Sequence, residues 1–324
     1  MVEESWVVTQ GAAGMENQCL GLAERLPLPV RVFRIQLKKP WRWLAPRSLG
    51  APLAHITEAS DKLAPPWPRL LIGCGRQSIP ISQAVKRASS GRTTTVQCQD
   101  PRIAPRKFDL VIPPKHDNLS GPNVFPIIGS PNCVTSARLA EVYRQFAPLF
   151  ERLRSPRVAV LIGGASSTHG SLDTAAAERL GAMLQQIAGD HGLMVSTSRR
   201  TGAEGAAIIR GHIANTDAFW WDGSGDNPYL GMLAWADAFV VTADSVNMIC
   251  EAAATGKPIH VFPLSGGRHK ALIFQKSLTL RGITRPFEGE IAQWSYTPLD
   301  ETGRAVERIK ALLDLGAASS DMQG

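Results

Sequence analysis

One stretch of the chain places a strand, a small-residue turn, a helix and a carboxylate in succession, Ala236 to Phe262. Ala238 to Val241 is a short apolar run that ends in the polar turn Thr242-Ala-Asp-Ser245. Val246 to Thr255 has helix-favouring spacing, and Gly256 stands where a helix C-cap belongs. Pro258 to Phe262 reads as the next buried strand. A helix N-terminus carries roughly half a positive charge, which suits a diphosphate. Asp244 and Ser245 lie in that turn, and the Glu251 carboxylate, two turns later, can accept hydrogen bonds from ribose hydroxyls. The group suits a phosphorylated sugar nucleotide.

Two further loops carry similar chemistry. In Ile162-Gly-Gly-Ala-Ser-Ser-Thr-His-Gly170, Gly163 and Gly164 permit close backbone approach, and Ser166, Ser167 and Thr168 offer hydroxyls to phosphate oxygens. The plain alternative is a strand-to-helix turn capped by serine. Ser198-Arg199-Arg200-Thr201 follows the next strand, and a guanidinium binds a diphosphate bidentately. Solvated arginine is the alternative there. The loop Asp222 to Tyr229 suits a nucleobase or sugar pocket, or an Asn-Pro helix start.

The elements that must position these loops alternate between strand and helix. Ser5–Thr9, Val30–Gln36, Leu70–Ile72, Thr93–Gln97, Leu110–Ile112 and Phe125–Ile128 read as strands of a first half, with helices to about Leu26 and over Ile79–Ala88. A helix over Ser136–Leu153 leads to Pro156, a natural boundary. The pattern then restarts: strands Arg157–Ile162, Met194–Thr197 and Ala218–Trp221 alternate with helices Asp173–Ala188 and Ala203–His212. Helices over Leu230–Trp235, His269–Arg281 and Glu301–Leu315 complete it. Such alternation implies parallel sheets covered by helices, with ligands at the carboxyl ends of the strands. The expected division is 1–150, 151–300, and a last helix with its tail over 301–324.

Length and composition fit this. The chain has 324 residues, enough for two domains, and 44% hydrophobic residues. Five scattered cysteines without a CxxC indicate neither a zinc site nor a disulfide framework, which fits a reducing cytosol. The acidic MVEESWVV start gives no secretory signal, and no apolar run approaches a bilayer span. The net charge is +7. Seven basic residues lie between Arg25 and Arg47 with no acid among them. Lys38, Lys39, Trp41, Arg42 and Trp43 form a basic, tryptophan-bearing patch suited to an anionic bilayer surface. A basic loop with inward tryptophans is the alternative. No nucleic-acid-binding motif accompanies the charge.

The chain resembles the mitochondrial-fission (elongated-mitochondria) protein family and, more distantly, GT-B glycosyltransferases such as the N-acetylglucosaminyltransferase of peptidoglycan synthesis. The residues that carry the likeness are Gly11-Ala-Ala-Gly-Met-Glu-Asn-Gln18, Gln99-Asp-Pro-Arg102, Pro114-Lys-His-Asp117, Leu161-Ile-Gly-Gly164, Ser198-Arg-Arg-Thr201, Asp226-Asn-Pro-Tyr229 and Thr242-Ala-Asp-Ser245. The resemblance implies an α/β fold of two Rossmann-like domains facing across a cleft, with the C-terminal helix packing back on the first. It implies a nucleotide-sugar donor in the second domain, with Glu251 on the ribose. The first domain then supplies the acceptor side, through Gly11, Gly14 and Asn17, and the catalytic base. Met15 stands where the peptidoglycan enzyme has a histidine, so Glu16, His116 and Asp117 are the candidates, with Asp100 a further rival. A base of this kind takes the acceptor hydroxyl proton in an inverting transfer. No Asp-x-Asp occurs, which fits a metal-independent site needing no cofactor. The acceptor expected is a lipid-linked or envelope glycan, and the location cytoplasmic, peripheral on the inner membrane face.

Two other readings compete. Plant members of the family are associated with recruiting a fission dynamin, so a non-catalytic adaptor is one. The other is an NAD-dependent nucleotide-sugar epimerase, resting on Gly73-Cys-Gly75-Arg-Gln-Ser78 with Asp100 downstream, a degraded dinucleotide fingerprint. No Tyr-x-x-x-Lys pair accompanies it. The sequence identifies neither sugar, base, acceptor nor oligomeric state.

Overall fold

The described residues of the computed structural model are 1–47, 50–164, 169–198, 200–267 and 269–314. The chain divides into two compact units, one comprising Met1–Cys133 and the segment from Asp300 onward, the other Val134–Leu299.

The first unit contains β1 (Val2–Thr9), α1 (Ala13–Ala23), β2 (Val30–Arg34), the single turn α2 (Trp41–Leu44), β3 (Pro68–Cys74), α3 (Ser78–Ala88), β4 (Thr94–Cys98) and β5 (Leu110–Ile112). Its five strands are all parallel, in the order β2-β1-β3-β4-β5. A parallel sheet is covered on both faces, so its strands are nearly continuous apolar runs. Val7, Leu70, Ile72 and Val96 meet Cys19 and Leu22 of α1 on one face. Trp6, Val8 and Leu71 meet Ile81 and Val85 of α3 on the other. The strand expected at Phe125–Ile128 is reduced to isolated bridges, Val124 to Val111 and Ile127 to Pro114. Pro126 has no N–H to give to a ladder.

The second unit contains α4 (Ser136–Gln145), α5 (Ala147–Phe150), β6 (Arg157–Ile162), β7 (His169–Ser171), α6 (Thr174–Ile187), β8 (Gly192–Thr197), α7 (Ala203–His212), β9 (Phe219–Trp220) and α8 (Tyr229–Trp235). It continues with β10 (Ala238–Thr242), α9 (Val246–Ala253), β11 (Ile259–Phe262), β12 (Ser265–Gly267), α10 (His269–Thr279) and β13 (Thr284–Pro286). Its main sheet has six parallel strands in the order β13-β11-β10-β6-β8-β9. Counted within the unit this is the doubly wound 3-2-1-4-5-6 order, with the switch point between β6 and β10. β7 and β12 form a separate antiparallel pair.

The expected single helix over 136–153 is broken at Phe146. Pro148 lacks an N–H, and its ring would crowd the Arg144 carbonyl. The break between units falls at Cys133/Val134 rather than near residue 150, because α4 packs on α8. Tyr143 stacks on Trp235 with ring centroids 4.0 Å apart, and Trp235 Nε1 donates to the Tyr143 carbonyl at 2.8 Å.

The last helix, α11 (Glu301–Leu312), packs back on the first unit. Ala305, Val306 and Ile309 join the cluster around Leu22 and Leu70. Glu301 Oε2 accepts from the Ile128 N–H at 2.7 Å, and Thr302 Oγ1 from the Asn132 N–H at 3.0 Å. Asp300 caps the helix by accepting from the Gly303 N–H at 2.9 Å.

Candidate functional site

The switch point of the second unit is built by register. Leu161 of β6 pairs with Val241 of β10, so the residues after both strands emerge side by side. The Gly163 N–H donates to Thr242 Oγ1 at 2.7 Å, and the Gly164 N–H to Asp244 Oδ2 at 2.8 Å. Thr242 Oγ1 donates to Asp244 Oδ1 at 2.7 Å. The Asp244 side chain is wholly buried, and burial raises its pKa against the pull of the Gly164 N–H and the Thr242 hydroxyl. Arg200 Nη2 stands 3.7 Å from Asp244 Oδ2 and is half exposed.

Neither glycine has room for a side chain. A Cβ on Gly163 would lie 2.2 Å from Asp244 Oδ2, and one on Gly164 2.0 Å from the Arg200 backbone. Thr201 Oγ1 ties the β6 and β8 loops together, donating to the carbonyls of Ile162 and Gly163. Ser245 is the N-cap of α9, accepting from the Met248 N–H at 3.4 Å. Ser166, Ser167 and Arg199, also expected at this site, lie outside the described residues.

Glu251 is on α9 and buried. Tyr229 Oη donates to Glu251 Oε2 at 2.5 Å. The phenol pKa is raised well above its ordinary value, by burial first and then by the neighbouring carboxylate. The Tyr229–Glu251 partnership is absent from the sequence reading, since 22 residues separate the two and no spacing rule connects them. The loop before Tyr229 closes on itself: Asp222 Oδ1 accepts from Ser224 N–H and Oγ, and Trp221 Nε1 donates to the Ser224 carbonyl. Those Ser224 bonds hold the Asp222 carboxyl below its ordinary pKa. Glycine loop, Asp244 and Arg200 thus meet at one end of one sheet, where Ser245 starts α9, the helix that carries Glu251 with its hydrogen bond from Tyr229.

The first unit does not gather its candidates in the same way. Glu16 follows β1, whereas His116 and Asp117 follow β5 in a short 3-10 turn. Three strand spacings, roughly 14 Å, separate β1 from β5. Both Glu16 oxygens accept from Arg34, at 2.7 and 2.8 Å, so this carboxylate is the partner of a guanidinium and not a free proton acceptor. Gly11 has φ +79°, and a Cβ there would touch the Arg34 side chain. Gly14 and Asn17 lie in the first turns of α1, with the Asn17 carbonyl accepting from Cys133 Sγ at 3.3 Å.

The degraded dinucleotide fingerprint falls on β3, and its glycines make room for the protein itself. A Cβ on Gly75 would meet Gln10 Nε2 and Met15 Sδ at 2.6 Å. Gln77 fills the same turn, donating to Gln10 Oε1 at 2.5 Å and accepting from the Leu37 N–H at 2.7 Å.

The basic run of the first unit is largely dispersed by acids from elsewhere. Arg25 pairs with Asp300, Arg31 with Glu4, Arg34 with Glu16 and Lys38 with Glu58. Trp41 turns inward to stack on His55, whereas Trp43 is 63% exposed beneath Lys39 Nζ. Arg42 is exposed and its carbonyl accepts from Arg76. Among the described residues no helix is long and apolar enough to cross a membrane.

Two Rossmann-like units, each with an all-parallel main sheet, and a final helix returned to the first define a GT-B fold. The UDP-GlcNAc 2-epimerase structure of Methanocaldococcus jannaschii shares it, with a TM-score of 0.54 at 10% identity over 97% of this chain and 100% of that one. The profile of the family described as mitochondrial fission ELM1 matches residues 13–313, and the chain belongs to that family. It is 33% identical to the mitochondrial fission protein ELM1 of Arabidopsis thaliana, over 96% of this chain and 91% of that protein. It is 26% identical to an uncharacterised protein of Rickettsia prowazekii, over 96% and 98%.

Proposed function

We propose that the second unit binds a nucleotide-sugar and that the protein transfers the sugar to a lipid-linked or envelope glycan. The observation that carries this reading is the meeting at one switch point of the Gly163-Gly164 loop and the Asp244-Ser245 turn, with buried Glu251 on the helix that starts there. The glycine loop and the N-terminus of α9 suit the diphosphate, with Arg200 poised at the rim. Glu251, held by Tyr229, accepts from the ribose hydroxyls. The transfer is inverting and uses no metal, the leaving diphosphate being neutralised by helix dipole and arginine. The base is one of the first unit's candidates, His116, Asp117 or the Arg34-paired Glu16. The Lys39–Trp43 turn serves a peripheral membrane location.

A second reading, a non-catalytic adaptor, is favoured by one specific observation. The Asp244 carboxylate already occupies the Gly164 N–H that a diphosphate would use. Calorimetric titration of the purified full chain with UDP-, GDP-, ADP- and CMP-sugars, with NAD as control, tests both. Binding of one sugar nucleotide that fails in Glu251→Ala supports the donor site. No binding at millimolar ligand rejects it in favour of the adaptor.

A further inference from the structure

α10 is apolar on both sides. Ala271, Phe274 and Leu278 are buried against the second unit, and Gln275 Nε2 donates to the Ala243 carbonyl at 3.3 Å, tying the helix to the turn before α9. Here the outer side faces water: Leu272, Ile273 and, one residue past the helix end, Leu280 are 62%, 43% and 76% exposed. At about 100° per residue, His269, Ile273, Lys276 and Leu280 form one stripe with Leu272 beside it. Large aliphatics exposed together in this way mark a contact surface.

The charge along this stretch of the sequence has one sign. No Asp or Glu occurs between Glu251 and Glu288, whereas Lys270, Lys276, Arg281 and Arg285 lie on α10 or just after it. Lys276 is exposed within the stripe, and Arg281 follows it at the helix end, donating to the Ser277 carbonyl.

We infer that the outer face of α10 docks on an anionic bilayer surface, its aliphatic residues entering the headgroup boundary and its lysines and arginine meeting lipid phosphates. Charge chooses this occupant over a second copy of the chain. Two copies meeting through this face would bring the exposed Lys276 and Arg281 of each against those of the other, like charge on like charge. The surface is separate from the Lys39–Trp43 turn and does not depend on sugar transfer. Through Gln275 it reaches the turn that carries Asp244 and Ser245.

The test is vesicle co-sedimentation of the full chain with phosphatidylcholine alone and with phosphatidylcholine plus phosphatidylglycerol. Binding to the anionic vesicles is expected. It falls about tenfold or more in the triple variant Leu272→Ser, Ile273→Ser, Leu280→Ser, as removal of three inserted side chains requires. It falls roughly fivefold in Lys276→Gln, the loss of one basic residue near the lipid. The exposed positions predict unchanged thermal melting, and Lys276→Gln decides should the triple variant fail to fold. Anionic-vesicle binding that is absent in the wild type or unaffected in these variants overturns the inference. So does a wild-type dimer that the triple variant dissociates, or a face that retains only an acidic protein and no vesicle.

Discussion

Glu251 gives the sharpest prediction, because its surroundings separate its two roles. It is buried on α9 and accepts from Tyr229 Oη at 2.5 Å. Replacing it by alanine removes an acceptor from ribose hydroxyls, and hydrogen bonds to a charged group contribute about 1.5–3 kcal/mol each. Sugar-nucleotide affinity is therefore expected to fall roughly 10- to 150-fold. The same change leaves an enclosed phenol without its acceptor, at a cost of about 1–3 kcal/mol of stability. Glu251→Gln keeps one acceptor oxygen, turns the other into an NH2 donor and loses the charge, so it is expected to lie between wild type and alanine in both affinity and melting temperature. Tyr229→Phe is expected to weaken binding less than Glu251→Ala, since the carboxylate remains. Calorimetry with the nucleotide-sugar that binds the wild type, alongside thermal denaturation of each variant, reads these effects separately. Unchanged affinity in a folded Glu251→Ala protein would refute the assignment of this carboxylate to the ligand.

Gly164→Ala is expected to destabilise the second unit by about 1–3 kcal/mol or more, because its Cβ meets Arg200 backbone and no rotamer relieves that contact; urea unfolding measures it. Asp244→Asn turns one of the two oxygens that accept from the Gly164 N–H and the Thr242 hydroxyl into a donor and is expected to lower the melting temperature, whereas a rise would show that burial of the charge outweighs those bonds. Buried His260 accepts from the Ala292 N–H through Nε2 and faces the Phe239 carbonyl through Nδ1, which defines a neutral tautomer. Burial lowers its pKa, so the unfolded chain takes up the proton first as pH falls. Stability is then expected to decline below the ordinary histidine value near 6.5, and His260→Gln to flatten that part of the pH profile; an identical profile would place the acid sensitivity elsewhere.

Periodicity and punctuation made the strand-helix alternation legible, because a doubly wound sheet needs continuous apolar strands and short turns, and both are local properties. Gly163, Gly164, Asp244, Ser245 and Glu251 were legible for the same reason: each lies next to the strand or helix that positions it. Which groups touch was not local. Tyr229 meets Glu251 across 22 residues. Acids from four other segments pair with Arg25, Arg31, Arg34 and Lys38 of the basic run, and Arg34 thereby claims Glu16. Proline altered the fine structure, dissolving the strand at Phe125–Ile128 and breaking the helix at Phe146. The exposed aliphatic side of α10 was equally hidden, since a sequence apolar on both faces of a helix does not say which face meets the core. Chain order determined the two sheets and the loops at their ends; the packing of side chains decided which of those loops hold a charge, which hold each other, and which residues remain in water.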